Sequence, residues 1–154
     1  GVAAIKYVDL SNDRAKDYVF DFDRMIAFEG NAGPYLLYAA ARIRNIFAKA
    51  EKEGITFNPA APIILGAKEE KDLALTILRY AGAVRAVAST NEPHKLCGFL
   101  YDLAGAYSSF YTNCHVLNAP DEPTRQSRLR LCRLAGRVLE DGLALLGITA
   151  LERM

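Results

Sequence analysis

Apolar residues recur at three- and four-residue intervals through most of this chain, and helices are the elements that such spacing predicts. The clearest case runs from Pro34 to about Lys52. At ~100° per residue Leu36, Ala39, Ile43, Ile46, Phe47 and Ala50 fall on one face. Pro34 suits a first helical turn, and Gly54 suits the position just past the end. A second long helix is expected from Pro93 to about Val116, with Asn91 as N-cap and a core stripe of Leu96, Phe99, Leu100, Leu103, Tyr107, Phe110 and Cys114. A third, over 125–146, would carry Leu131, Leu134, Val138, Gly142 and Leu145 inward and set Arg130, Arg133 and Arg137 along its other side. Shorter helical stretches are expected over 1–8, 67–80 and 81–89, with a helical turn over Arg24–Phe28. Turn chemistry separates them: the Asp9–Asp13 cluster, Gly30–Gly33, the Pro- and Gly-rich loop 55–66 and the loop Asn118–Thr124. Only Tyr18–Phe22 alternates large apolar with polar residues, as an extended piece or short strand would. The pattern therefore predicts an all-α bundle of four to five helices.

The polar edge of the first long helix carries the most informative chemistry. Tyr35, Tyr38 and Arg42 form one stripe, at offsets of three and seven residues, roughly 90–130° from the centre of the apolar face. Two aromatic faces and a guanidinium plane in a row suit the capture of unstacked bases. The same spacing also suits helix–helix rim packing. Tyr111 and His115, four residues apart, share a stripe beside the core face of the second long helix.

Composition narrows the possibilities. A length of 154 residues suits one domain with a sizeable core, and 51% hydrophobic with 24% charged residues is ordinary for a globular protein. The formal charge of +1 lacks the basic excess of a free-standing nucleic-acid binder, which argues against that class but not against a module whose electrostatic grip lies on a neighbouring domain. No apolar run approaches the ~20 residues of a membrane span, and no signal peptide is visible. Cys97, Cys114 and Cys132 are odd in number and widely spaced, which fits buried free thiols better than a zinc site. Phosphate-binding, dinucleotide and hydrolase motifs are absent from the sequence. His94, in a helix first turn, reads as packed or capping, and the three arginines as a solvated face or a phosphate strip. The residues alone point to a helical binding module without catalysis. The chain opens at Gly1 inside a helical pattern and is expected to be a piece of something longer, whereas the short tail to Met154 reads as a natural end.

Three separated segments resemble one family. They are KYVDLSNDR…DYVFDFDRM over residues 6–25, GNAGPYLLYAAARIR over 30–44, and EPHKLCGFLYDLAGAYSSFYTNCHVL followed by RLRLCRLAGRVLEDGLALLGITALERM. Together they are similar to the C-terminal, DALR-type anticodon-binding domain of arginyl-tRNA synthetase. The resemblance covers nearly the whole chain, most weakly at 55–70 and 117–124. It implies an all-α domain from a cytoplasmic class I synthetase, which joins arginine to tRNA with ATP and magnesium. Residues 1–28 would be the end of the catalytic or connecting segment, and 29–154 the anticodon-binding domain. The implied partners are the anticodon loop of arginine tRNA and the catalytic domain of the same chain, with no membrane. The fragment itself would need no cofactor and would not aminoacylate. Family roles around the anticodon loop carry over to Tyr35, Tyr38, Arg42, Tyr111, His115 and Met154, the last closing the base pocket. Leu37 stands where many members have Gln, Ala40 where they have an aromatic or His, and His115 where a larger ring is common. A bundle from the cysteine or methionine synthetase, or a protein-interaction module, are the competing readings.

Overall fold

The computed structural model describes residues 2–17, 19, 21–27 and 30–149, with the backbone alone at Phe22 and Arg24. Among these residues it contains seven helices and no strand: α1 (Val2–Ser11), α2 (Phe22–Ile26), α3 (Gly33–Lys52), α4 (Lys68–Leu78), α5 (Tyr80–Thr90), α6 (Pro93–Asn113) and α7 (Glu122–Leu145). Five of them, α3 to α7, make up the bundle expected from the periodicity. The central element is α6, which packs against α1, α3, α4, α5 and α7.

Local chemistry sets the ends of α3 where the sequence predicts them. Ala32 is extended (φ −131°, ψ 149°), and Pro34 sits in the first turn, where no amide hydrogen is needed. At the other end Gly54 turns left-handed (φ 72°). Its amide donates to Glu51 O at 3.1 Å, and the Ile55 amide donates to Ala50 O at 2.9 Å. This pair closes the helix as a Schellman motif. The same motif ends α7, with Gly147 on Ala144 O and buried Ile148 on Leu143 O, both at 2.9 Å. Of the predicted face of α3, all but Phe47 are buried, and Phe47 is half-buried. Leu37 and Ala40 are buried as well, because α1, α6 and α7 approach α3 from different sides. Where α1 crosses, an added Cβ on Gly33 would lie 3.0 Å from Ala3 O and 3.1 Å from Tyr7 Cβ. The fully buried Tyr7 hydroxyl shares its one proton between Asn31 Oδ1 at 2.6 Å and Cys97 O at 3.1 Å, joining α1 to the α3 entry and to α6.

The predicted core stripe of α6 is buried throughout, and all three cysteines are buried free thiols. Several boundaries differ from expectation. Asn91 is the left-handed C-cap of α5 (φ 52°, ψ 40°) and not the N-cap of α6, a place taken by Glu92. Asn suits both positions, and here its tolerance of the left-handed region prevails. Helix α6 stops at Asn113, three residues short of Val116. Helix α7 begins at Glu122 and not at 125: Asp121 Oδ1 accepts the Thr124 amide at 2.8 Å, drawing Pro123 into the first turn. Helix α1 runs on to Ser11, so Asp9 and Leu10 are helical and not part of a turn. Helix α2 starts two residues before the expected Arg24. Of the expected extended piece at Tyr18–Phe22, Tyr18 and Phe20 lie outside the described residues, Val19 and Asp21 are in no helix or strand, and Phe22 begins α2; Phe28 also lies outside the described residues.

The inward face of α7 is also rotated. Leu131 and Gly142 point inward as predicted, but Leu134 and Val138 only flank the core, and Leu145 is 59% exposed. Leu129, Cys132, Ala135, Gly136, Leu139 and Leu143 fill the interior instead. Small residues allow the closest helix approach: a Cβ on Gly136 would meet Ile43 Cγ2 at 3.0 Å, and one on Gly142 would meet Leu100 Cδ2 at 2.6 Å. Counting large apolar residues misses such a seam. Among the described residues no helix is long and apolar enough to cross a membrane.

Candidate nucleic-acid interface

A groove of about 690 Å³ opens between the middle of α3 and the C-terminal end of α6 with the segment that follows it. Tyr38, Arg42, Asn45 and Lys49 line it from α3, and Tyr111 and His115 face them from α6 and its exit. Four of the six expected site residues thus meet in one cleft. Tyr35 stands one turn up α3, half-buried, with its ring tilted at 54° and 5.8 Å from the Tyr101 ring. Burial raises its hydroxyl above the ordinary value. Met154 lies outside the described residues.

Arg42 organises the cleft. Its Cζ lies 4.6 Å from the Tyr38 ring centre and 4.7 Å from that of Tyr111, so the guanidinium bridges a ring from each helix. It also donates from Nη2 to the Tyr38 hydroxyl at 2.9 Å. Cation–π contacts of this kind contribute about 0.5–1 kcal/mol each where water has access. Among the described residues Arg42 has no ion-pair partner. The tyrosines are only half given to this contact, with Tyr38 44% and Tyr111 41% exposed. Below them the Tyr111 ring rests 6.2 Å from that of buried Tyr107.

The exit from α6 aims His115. Cys114 is extended (φ −113°, ψ 98°), and both Cys114 and Val116 are buried. Neighbouring side chains on extended backbone point to opposite sides, so burying these two turns His115 toward water. Helical spacing from Tyr111 put His115 on the same stripe. The structure brings the two residues to one cleft although His115 has left the helix.

Asn45 and Lys49 continue the Tyr38–Arg42 stripe at the next three- and four-residue steps, and the sequence reading passed over them. Extending the periodicity beyond Arg42 finds both. Lys49 is partly engaged by Glu53 at 3.8 Å. Leu37 and Ala40, buried, offer no stacking surface. The arginines of α7 divide. Arg130 donates to Ala61 O, the Arg133 guanidinium lies 4.0 Å over the Phe47 ring, and Arg137 is exposed. The expectation of a solvated face therefore holds for Arg133 and Arg137, both exposed, but not for Arg130.

Comparison with known proteins identifies the family. A model of the DALR anticodon binding domain matches residues 36–154. The chain is 51% identical over 154 residues to an arginine–tRNA ligase from Ectopseudomonas mendocina, covering 100% of this chain and 26% of that relative. It is 47% identical to one from Haemophilus influenzae, with the same coverage. Its fold is similar to the arginyl-tRNA synthetase of Thermus thermophilus, with a TM-score of 0.87 and 34% identity over 99% of this chain and 26% of that one. The arginyl-tRNA synthetase of Plasmodium falciparum gives a TM-score of 0.85 and 34% identity over 99% of this chain and 27% of that one. The chain thus spans about a quarter of the length of the curated relatives it matches.

Proposed function

Given that the chain belongs to the DALR anticodon binding domain family, we propose that it serves an arginine–tRNA ligase by holding the anticodon loop of arginine tRNA in the Tyr38–Arg42–Tyr111 cleft. The observation that carries this reading is the guanidinium between two half-exposed tyrosine rings on different helices. Every arginine codon has G at its centre, so every arginine anticodon has C there. Cytosine offers an amino donor and two acceptors, N3 and O2. Arg42 and the tyrosine hydroxyls can serve the acceptors, Asn45 and Asn118 can serve either side, and the rings give the flat surface an unstacked base needs. Stacking of this kind is worth ~1–3 kcal/mol per base. His115 forms the far wall, Tyr35 extends the ridge by one turn, and Met154 closes the pocket as the family resemblance implies.

ATP and magnesium belong to the rest of such a ligase. Among the described residues no group of three or more His, Cys, Asp or Glu is placed to hold a metal, and the sequence has no glycine-rich phosphate loop. The catalytic portion of the same protein is the second proposed partner.

Binding of labelled anticodon stem-loops at two salt concentrations tests the reading. The loop with an arginine anticodon should bind more tightly than the same stem carrying a methionine anticodon, whose central base is adenine, and both should weaken as salt rises. Equal affinity for the two loops would remove the assignment to arginine, and absence of salt-dependent binding would remove RNA altogether.

A further inference from the structure

The first turns of α7 hold residues distant in sequence. Gln126 grips the loop before α4, accepting the Asn58 amide and donating to Thr56 O, both at 2.8 Å. Ser127 takes the Ile64 amide at 2.7 Å and donates to Ile64 O at 3.0 Å. Arg128 turns the other way. Its Nε donates to Glu70 Oε1 at 2.7 Å, and its Nη1 donates to His115 O at 2.9 Å. Glu70 is 2% exposed and the Arg128 side chain 14%. The other Glu70 oxygen accepts the Ala67 amide at 2.8 Å, which fixes the carboxylate to the start of α4.

We infer that Arg128, anchored by Glu70, is a positioning residue for the anticodon cleft: it fixes the carbonyl of His115 and with it the wall formed by residues 115–118. This rests on the reading of the cleft as an anticodon site. His115, Val116, Leu117 and Asn118 all line the groove, and they follow the end of α6, where helical hydrogen bonding no longer fixes the backbone. The bond from Arg128 reaches them from a different helix. A guanidinium suits the task because its planar fork can serve a carboxylate and a carbonyl at once in fixed relative directions. With its charge matched by Glu70 and its surface covered, Arg128 is poorly placed to meet a phosphate itself. It therefore acts through His115 and its neighbours and does not touch RNA.

The test uses the 154-residue chain and a labelled stem-loop bearing an arginine anticodon. Arg128→Lys keeps the charge but cannot span both acceptors. It should weaken binding about fivefold and move the carbonyl carbon resonance of His115. Glu70→Gln, which leaves Arg128 in place on a weaker anchor, should shift both readouts in the same direction by less, and it serves if Arg128→Lys does not fold. Leu96→Val, in the core near the other end of α6 and roughly 22 Å from Tyr111 along the helix, lowers stability without touching the wall, and it should bind as the parent does. Parent-like affinity or an unmoved His115 carbonyl in the Arg128 and Glu70 variants overturns the inference. So does an equal affinity loss in Leu96→Val, because the effect then follows stability alone. A parent chain that binds no stem-loop sinks the anticodon reading, while the carbonyl resonance still decides whether Arg128 holds the wall.

Discussion

At the scale of single residues, the cleft depends on which side chains keep a free face. Tyr38 and Tyr111 are held at one face by Arg42 and remain half-exposed. Tyr38→Ala or Arg42→Ala should therefore weaken stem-loop binding by at least ~1 kcal/mol, with helicity by circular dichroism unchanged. Arg42→Lys should lose most of that amount too, since an ammonium has no plane to lay between rings. Packing gives a contrasting prediction at Gly142, where an added methyl would press on Leu100 Cδ2 at 2.6 Å. The overpacking cost of ~1–3 kcal/mol exceeds the ~1 kcal/mol helix preference of Ala over Gly, so Gly142→Ala should lower stability in urea unfolding. Periodicity set Tyr35, Tyr38 and Arg42 on one stripe of α3 and Tyr111 with His115 on another of α6, and the family resemblance gave Tyr111 its place at the site. Periodicity could not show that Tyr35 would be drawn against Tyr101, because that contact joins helices far apart in sequence.

Among the elements, α7 carries more of the organisation than its sequence suggested. Its start is set by Asp121 on the Thr124 amide, so Asp121→Ala should cost about 1 kcal/mol in thermal or urea unfolding. Its second turn holds Glu70 through Arg128. Burial pushes the Glu70 carboxyl upward, but the Ala67 amide and the Arg128 guanidinium outweigh it, leaving the group below its ordinary value. A carboxyl so depressed adds stability above its unfolded value, and that contribution is lost as pH falls through the folded one. Glu70→Gln should thus be less stable than the parent at pH 7 by about 2 kcal/mol. The gap should narrow as pH drops below the ordinary carboxylate range, and urea midpoints across that span measure it. A gap that widens in acid contradicts the depressed value. The sequence placed α4 and its acidic first turn correctly, yet one of those acids is buried. Only the packing of α4 against α7 decides that.

For the molecule as a whole, burial protects three thiols. It pushes Cys97 and Cys132 up to about 12 and raises Cys114. The thiolate fraction at pH 8 is then very small, so the native chain should resist a thiol reagent that modifies all three cysteines once denatured. Rapid labelling of the native chain would show that the core opens readily. Taken by itself, the sequence determined the helical class, the apolar faces of α3 and α6, the helix stop at Gly54 and the family, because each rests on local periodicity, on backbone chemistry or on motifs readable in order. The tertiary structure alone decided the rotation of α7, the burial of Glu70 and the meeting of Tyr38, Arg42, Tyr111 and His115 in one cleft. Those outcomes follow from where small residues let helices approach and from which distant groups share a desolvated partner, and neither property is written in the spacing along one strand of chain.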